Sequence, residues 1–335
     1  MPHNHHDIRE IMKYIFAIAV ITSTLFIAGC KNDQRATSSA GGTTAVSLQL
    51  NWKPEPEFGG FYAAREIGAF KKQNLDVNIT PGGVGTPTVQ MVGAGTADFA
   101  IVSADEILIA RARGNPVVAV MAVYQTCPQG IMVHASRQMK TIADVFNQPG
   151  TLAMQRGLPY SNFLEQKYGF TKLQIVPSPG GDVTIFRDRP DFSQQCYVTS
   201  EPIAARKLGA DPQTFLIADA GYNPYTAVLA TRDDYLKSHP DTVKAMVAAC
   251  REGWQAYLQD PSAANAVMQK QNPGMDSQTF TESAVAQKPL IETGETKSSG
   301  LGSMTLDRWK ALAQQLVDLK VLDKAPPAEQ CFARF

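Results

Sequence analysis

Strand-like and helix-like segments alternate along this chain from residue 46 to residue 231, and that alternation limits the possible folds more than any other feature. Residues 46–51, 75–80, 99–102 and 116–124 read as strands, and residues 60–73, 86–93 and 104–113 as helices between them. Such order builds a mostly parallel sheet with helices on both faces. A second set follows, with strands at 131–134, 151–155, 173–176, 195–199 and 214–217 and helices at 160–168, 182–187 and 201–208. Residues 225–231 are strand-like again and are predicted to return to the first sheet, so that two chain crossings join two α/β lobes as a two-strand hinge. From His239 onward the pattern is helical, with amphipathic stretches at 241–258, 262–271, 277–291 and 306–319 that are predicted to buttress the first lobe. Ligands of such sheets gather at the carboxyl ends of strands, so the loops after Asn51, Thr80 and Val102 are predicted to converge.

Ahead of the alternating region, Arg9 and Lys13 precede an apolar run from Tyr14 to Ala28 that ends in Ile27-Ala28-Gly29-Cys30. The run is about 15 residues long, short of the roughly 20 needed to cross a bilayer, which marks a cleavable signal peptide over residues 1–29. The four residues resemble a bacterial lipobox, in which Cys30 becomes the lipidated first residue of the mature protein. The expectation is a chain held at a bacterial membrane by lipid, on its periplasmic or cell-surface side, and not spanning it. Residues 30–45 are rich in Ser, Thr, Gly and Ala and form a flexible leash. The predicted division of the remainder is 46–125 with 222–335 for lobe 1 and 126–221 for lobe 2.

Acidic and basic residues balance at 31 each, so no basic excess points to nucleic acid. The spacing of Cys127, Cys196, Cys250 and Cys331 matches neither a zinc motif nor a redox pair, and disulfide pairing among them is left open. Cys250 falls on an apolar stripe with Val243, Met246, Val247, Trp254 and Tyr257 and reads as a buried small hydrophobe. His134, in a strand, and His239, before a helix, read as structural, and neither a metal site nor a cofactor is expected. No Gly-x-Ser-x-Gly elbow, phosphate-binding loop or His-Glu zinc motif is present, which argues against an enzyme.

The segment Leu48-Gln49-Leu50-Asn51-Trp52-Lys53-Pro54, followed by Gly60-Phe61-Tyr62-Ala63-Ala64 and Gly68-Ala69-Phe70, resembles the opening of a family of bacterial solute-binding proteins. These serve ABC importers of thiamine-pyrimidine precursors. Pro81-Gly82-Gly83, Gly95-Thr96-Ala97-Asp98-Phe99-Ala100, Glu201-Pro202, Leu306-Asp307-Arg308-Trp309 and Leu316-Val317-Asp318-Leu319 continue the likeness over about 46–322. The resemblance implies a type II periplasmic-binding-protein fold, a monomer, a small-molecule ligand held between lobes, and an ABC importer permease as partner. The expected ligand is a planar nitrogen heterocycle; sulfonate, nitrate and riboflavin binders share much of the pattern, and a pyrimidine-synthase-like enzyme shares the fold. Fungal synthases carry a cysteine-rich iron motif that this sequence lacks.

Candidate contacts follow from position. Trp52, at the end of the first strand, offers either a flat indole face to a ligand or a core side chain. Asn51 precedes it, where the family usually has Asp, which weakens the case for a cationic ligand. Phe58, Gly59 and Gly60 open the next helix, where glycine permits close backbone approach to a ligand or simply a turn. Gly83 lies in the Gly82–Thr86 turn, whose backbone N–H groups suit an anionic or accepting group, or only a helix entry. Arg156, in Gln155-Arg156-Gly157, is placed to pair with an anionic substituent or stands free in solvent. The resemblance gives Tyr197 and Glu201 the roles of stacking aromatic and acceptor for an exocyclic amine. Tyr222 and Tyr225 beside the hinge either contact ligand or pack.

Overall fold

The computed structural model describes residues 42–335; the predicted signal peptide and Cys30 lie outside the described residues. The first sheet contains β1 (Thr44–Gln49), β2 (Leu75–Thr80), β3 (Phe99–Val102), β4 (Val117–Tyr124) and β10 (Thr226–Arg232), in the order β2-β1-β3-β10-β4. Its helices are α1 (Gly59–Glu66), α2 (Ala69–Lys72), α3 (Thr88–Gly93) and α4 (Ala104–Ala112). The single helix predicted at 60–73 is two, because Gly68 takes a left-handed backbone with φ of 73°. β1 runs parallel to β2 and β3, whereas β10 is antiparallel to β3 and β4.

The second sheet contains β5 (Gln129–His134), β6 (Gly150–Ala153), β7 (Leu173–Val176), β8 (Phe192–Tyr197) and β9 (Pro212–Leu216), in the order β7-β6-β8-β5-β9. Helices α5 (Ile142–Asn147), α6 (Pro159–Tyr168), α7 (Thr184–Asp188) and α8 (Glu201–Lys207) cover it. Here β5 is the antiparallel member, against both β8 and β9. In each sheet, then, the odd strand is the one that has just arrived from the other lobe. A strand entering from the interlobe side must run away from it, and the parallel strands must run toward it. The carboxyl ends of both sheets therefore face one cleft.

The crossings at 125–128 and 221–225 are tied to each other. Cys127 N donates to Asn223 Oδ1 (2.8 Å), and the Arg308 guanidinium donates to the carbonyls of Gln125 (2.8 Å) and Asn223 (3.1 Å). An apolar core runs behind this hinge through Ile217, Tyr222 and Tyr225 and takes in residues of both lobes, among them Ile107, Phe163 and Trp309. The cysteines Cys127, Cys196, Cys250 and Cys331 are free and buried. His134 is clamped between Asp211 Oδ1 (2.9 Å) and the Phe186 carbonyl (2.6 Å) and stacks on the Phe186 ring, a structural brace of lobe 2.

The chain ends in α9 (Asp233–Ser238), α10 (Pro240–Gln259), α11 (Ser262–Gln271), α12 (Ser277–Ile291), α13 (Gly294–Ser299) and α14 (Leu306–Asp318). No helix among the described residues is long and apolar enough to cross a membrane. α10 lies against α1 at a distance only glycine allows. A Cβ on Gly253 would sit 2.2 Å from the Gly60 carbonyl oxygen and 2.5 Å from Ala64 Cβ. Because backbone cannot swing aside as a side chain can, Gly253→Ala is expected to destabilise the protein by about 3 kcal/mol, read as a lowered urea midpoint. A change under about 0.5 kcal/mol would mean the two helices slide apart freely.

Candidate functional site

The chain leaves the first sheet at Asn51, which is half-buried, and turns through Trp52-Lys53-Pro54-Glu55-Pro56-Glu57. Trp52 is fixed by its own backbone, since its carbonyl accepts from Gly82 N at 2.9 Å. That approach requires glycine, because a Cβ at residue 82 would meet the Leu50 carbonyl oxygen at 2.3 Å. The indole is half-buried, and its Nε1 donates to Glu55 Oε1 at 3.1 Å. Ser200 Oγ of lobe 2 donates to the other oxygen of the same carboxyl, Glu55 Oε2, at 3.3 Å. A polar chain from Trp52 through Glu55 to Ser200 thus crosses between the lobes.

On the lobe 2 side, the carboxyl end of β8 and the start of α8 present Tyr197, Thr199, Ser200 and Glu201 together. Tyr197 N donates to Glu201 Oε2 at 2.8 Å, which folds the carboxyl back over the strand end. Burial pushes the Glu201 carboxyl up to about 7, with the Glu55 charge opposite adding to the effect. Glu55 is raised mainly by burial as well, and Glu57 is raised well above the usual carboxylate range by burial and then by the charges of Glu55 and Glu201. Carboxyls of opposite lobes that repel one another must share one space. Glu106, on α4, keeps contact with solvent along the cleft yet is hemmed in by protein, and burial together with Asp105 raises it too.

Phenols fill the space between. Tyr124, at the end of β4, is fully buried and donates to Gln287 Oε1 at 2.6 Å, and Gln287 Nε2 in turn donates to the Pro56 carbonyl at 2.9 Å. The Tyr124 and Tyr197 hydroxyls are both raised well above their ordinary value, first by burial and next by the charge of Glu57. Carboxyl and phenol groups of both lobes therefore come together between the sheets.

Five of the sequence candidates, Asn51, Trp52, Gly83, Tyr197 and Glu201, lie at strand ends or loops that face this cleft. The Gly82–Thr86 turn uses part of the N–H set predicted for it on its own closure, leaving Val84 N and Gly85 N without a protein acceptor among the described residues. Gly82 N is bonded to Trp52 O, Gly83 N donates to Thr86 Oγ1 at 2.9 Å, and α3 begins only at Thr88. Arg156 lies on the cleft margin, beside a depression of about 520 Å³ lined by Met154, Gln155, Leu158 and residues 175–178. One of its guanidinium nitrogens, Nη2, donates to both oxygens of Glu165, at 2.8 and 3.0 Å.

The other candidates pack. Phe58 is wholly buried in the lobe 1 core, and a Cβ on Gly59 would fall 2.1 Å from the Tyr257 ring, so the absent side chain makes room for α10. Tyr222 is buried with its hydroxyl 2.6 Å from Asp105 Oδ2 and its ring 5.6 Å from that of Phe163. Tyr225 accepts from Thr305 N at 3.1 Å beneath the Arg308 guanidinium, 3.7 Å from its ring centroid. Sequence reasoning passed over Glu55, Glu57, Glu106, Tyr124 and Ser200. For the first two a signal existed, in the Pro-Glu-Pro-Glu run that follows Trp52 and Lys53; the others are brought in only by tertiary structure.

A family model described as NMT1/THI5 like matches residues 55–264, from the acidic loop of lobe 1 through lobe 2 and into α11. The chain belongs to the NMT1/THI5-like family. Among relatives, the formylaminopyrimidine-binding protein of Halalkalibacterium halodurans is 22% identical over 96% of this chain and 99% of that protein. The 4-amino-5-hydroxymethyl-2-methylpyrimidine phosphate synthase of Legionella pneumophila is 21% identical over 86% of this chain and 90% of its own length. The periplasmic aliphatic sulphonate binding protein SsuA from Escherichia coli shares the fold, with a TM-score of 0.67 at 14% identity, covering 87% of this chain and 92% of that one. The predicted two-lobed periplasmic-binding-protein architecture is thus the observed one.

Proposed function

We propose that this chain is an extracytoplasmic solute-binding protein, lipid-anchored at Cys30, that captures a small planar aminopyrimidine-like heterocycle between its lobes and delivers it to an ABC importer. The observation that carries this reading is the meeting of Trp52, Glu55 and Glu57 from one lobe with Tyr197, Ser200 and Glu201 from the other. A planar ring stacks on the indole or phenol faces, its exocyclic amino group donates to a carboxylate and its ring nitrogens accept from a protonated carboxyl, which satisfies groups that closure otherwise leaves crowded and poorly solvated. Full-length likeness to a formylaminopyrimidine binder supports the same ligand class.

Thermal shift against formylaminopyrimidine, 4-amino-5-hydroxymethyl-2-methylpyrimidine, riboflavin, an alkanesulfonate and nitrate tests it. An aminopyrimidine present at a hundredfold excess over its Kd is expected to stabilise by about 2.7 kcal/mol. Nitrate and sulfonate are expected to have no effect, and silence from both pyrimidines would sink the assignment. A carrier returns its ligand unchanged, so the mass of ligand released on denaturation separates it from a synthase. For the anchor, Cys30→Ser is expected to move the protein from the membrane fraction to the soluble one; retention at the membrane would argue for another tether.

A further inference from the structure

Helix α8 touches lobe 1 at both of its ends. At its amino end Ser200 meets Glu55 inside the cleft. At its carboxyl end Lys207 Nζ donates to Asp276 Oδ1 (2.7 Å) and Thr279 Oγ1 (2.7 Å), which begin α12. α12 is anchored to lobe 1, by buried Gln287 at Tyr124 and Pro56, and to the hinge, where the Leu290 carbonyl accepts from Gln125 N and Thr126 N. A helix of 15 residues is about 22 Å long, so the Lys207 contact stands roughly 20 Å from the pivot, where any rotation of the lobes separates the groups most. Asp276 is pre-set to receive the lysine: as N-cap of α12 it also accepts from Thr279 N at 3.0 Å. The Lys207 side chain is only 23% exposed, so most of its water has already been given up to these two partners.

We propose that Lys207, Asp276 and Thr279 form an interlobe latch that sets the fraction of time the cleft is shut, and through it how long a ligand stays, without touching the ligand. Its effect on residence time rests on the proposed capture function; its effect on closure does not. Closure is read in the ligand-free chain by disulfide trapping. Residue 84 of lobe 1 and residue 180 of lobe 2 adjoin across the cleft, a Cβ at Gly180 lying 3.8 Å from Val84 Cγ2. The pair Val84→Cys with Gly180→Cys, in a Cys30→Ser background, cross-links at a rate proportional to the closed population. The left-handed backbone at residue 180 is shared by every variant and cancels from the ratios.

Lys207→Met is expected to slow trapping about fivefold, the size of a partly buried ion pair. Asp276→Asn removes the charge but keeps the helix cap, because Asn caps as well as Asp, and is expected to slow it equally. The double variant should be no slower than either single one, and Lys207→Arg should keep most of the parent rate. With formylaminopyrimidine as probe, Lys207→Met should raise the dissociation rate by the same factor and leave association unchanged. An unchanged trapping rate in Lys207→Met, multiplying effects in the double variant, or a parent pair that never cross-links would each overturn the latch. A chain that traps as expected but binds no pyrimidine would count against the proposed ligand and leave the latch standing.

Discussion

Glu201→Gln is expected to raise the stability of the ligand-free protein at about pH 8 by about 2 kcal/mol while removing most of its affinity for an aminopyrimidine. The folded-state carboxyl is raised from 4.5 to about 7, chiefly by burial. The folded protein therefore holds this proton more tightly than the unfolded chain does. Its contribution is most favourable below about pH 4.5, falls as pH rises through the window up to about 7, and is fully unfavourable above it. At about 1.4 kcal/mol per unit that displacement sets a ceiling near 3 kcal/mol, and partial contact with solvent in the cleft lowers the expected gain to about 2.

Gln is isosteric and still accepts from Tyr197 N, so the helix start is kept while the charge facing Glu55 and Glu57 is removed. Urea unfolding at a series of pH values checks this: the parent should lose stability between about pH 5 and 7.5, and the variant should show a shallower decline, since Glu55 and Glu57 remain. A variant less stable than its parent at about pH 8 would mean that Glu201 is stabilised by a partner and not strained by its neighbours.

Trp52→Ala is expected to weaken aminopyrimidine binding by roughly 30- to 100-fold while costing about 1 kcal/mol of stability. The indole is half-buried, so truncation gives up only part of a core aromatic's burial. Under the proposed function it loses the whole of a ligand-facing plane, and it frees Glu55 from the donor that orients it toward Ser200. Calorimetric titration alongside urea unfolding separates the two losses. If stability falls by several kcal/mol and the affinity of the folded fraction is kept, Trp52 is a core residue and the ligand lies elsewhere.

How far these features were legible depends on the range of the interactions that create them. β2, β3, β7, α11 and α12 have the bounds predicted from sequence, because their apolar spacing repeats often enough to be read. In β2 the alternation of buried and exposed positions is complete. α5, α9 and α13 went unread: six residues make fewer than two turns, and α5 and α13 owe their starts to capping by Thr141 with Asp144 and by Thr293. Strand direction was equally silent, since a strand's pattern is the same read either way, and only the hinge crossings make β5 and β10 antiparallel.

The site divides along the same line. By itself the sequence determined two α/β lobes, the strand ends that would face a ligand, and the placing of Trp52, Tyr197 and Glu201 at those ends, because each follows from residues close by in the chain. Tertiary structure alone decided that Phe58 and Gly59 pack under α10, that Tyr225 sits beneath Arg308, and that Glu55, Glu57, Glu106 and Glu201 crowd one cleft with Tyr124. Those outcomes depend on which faces of distant elements meet, and burial raises a carboxyl only after the other lobe has closed over it.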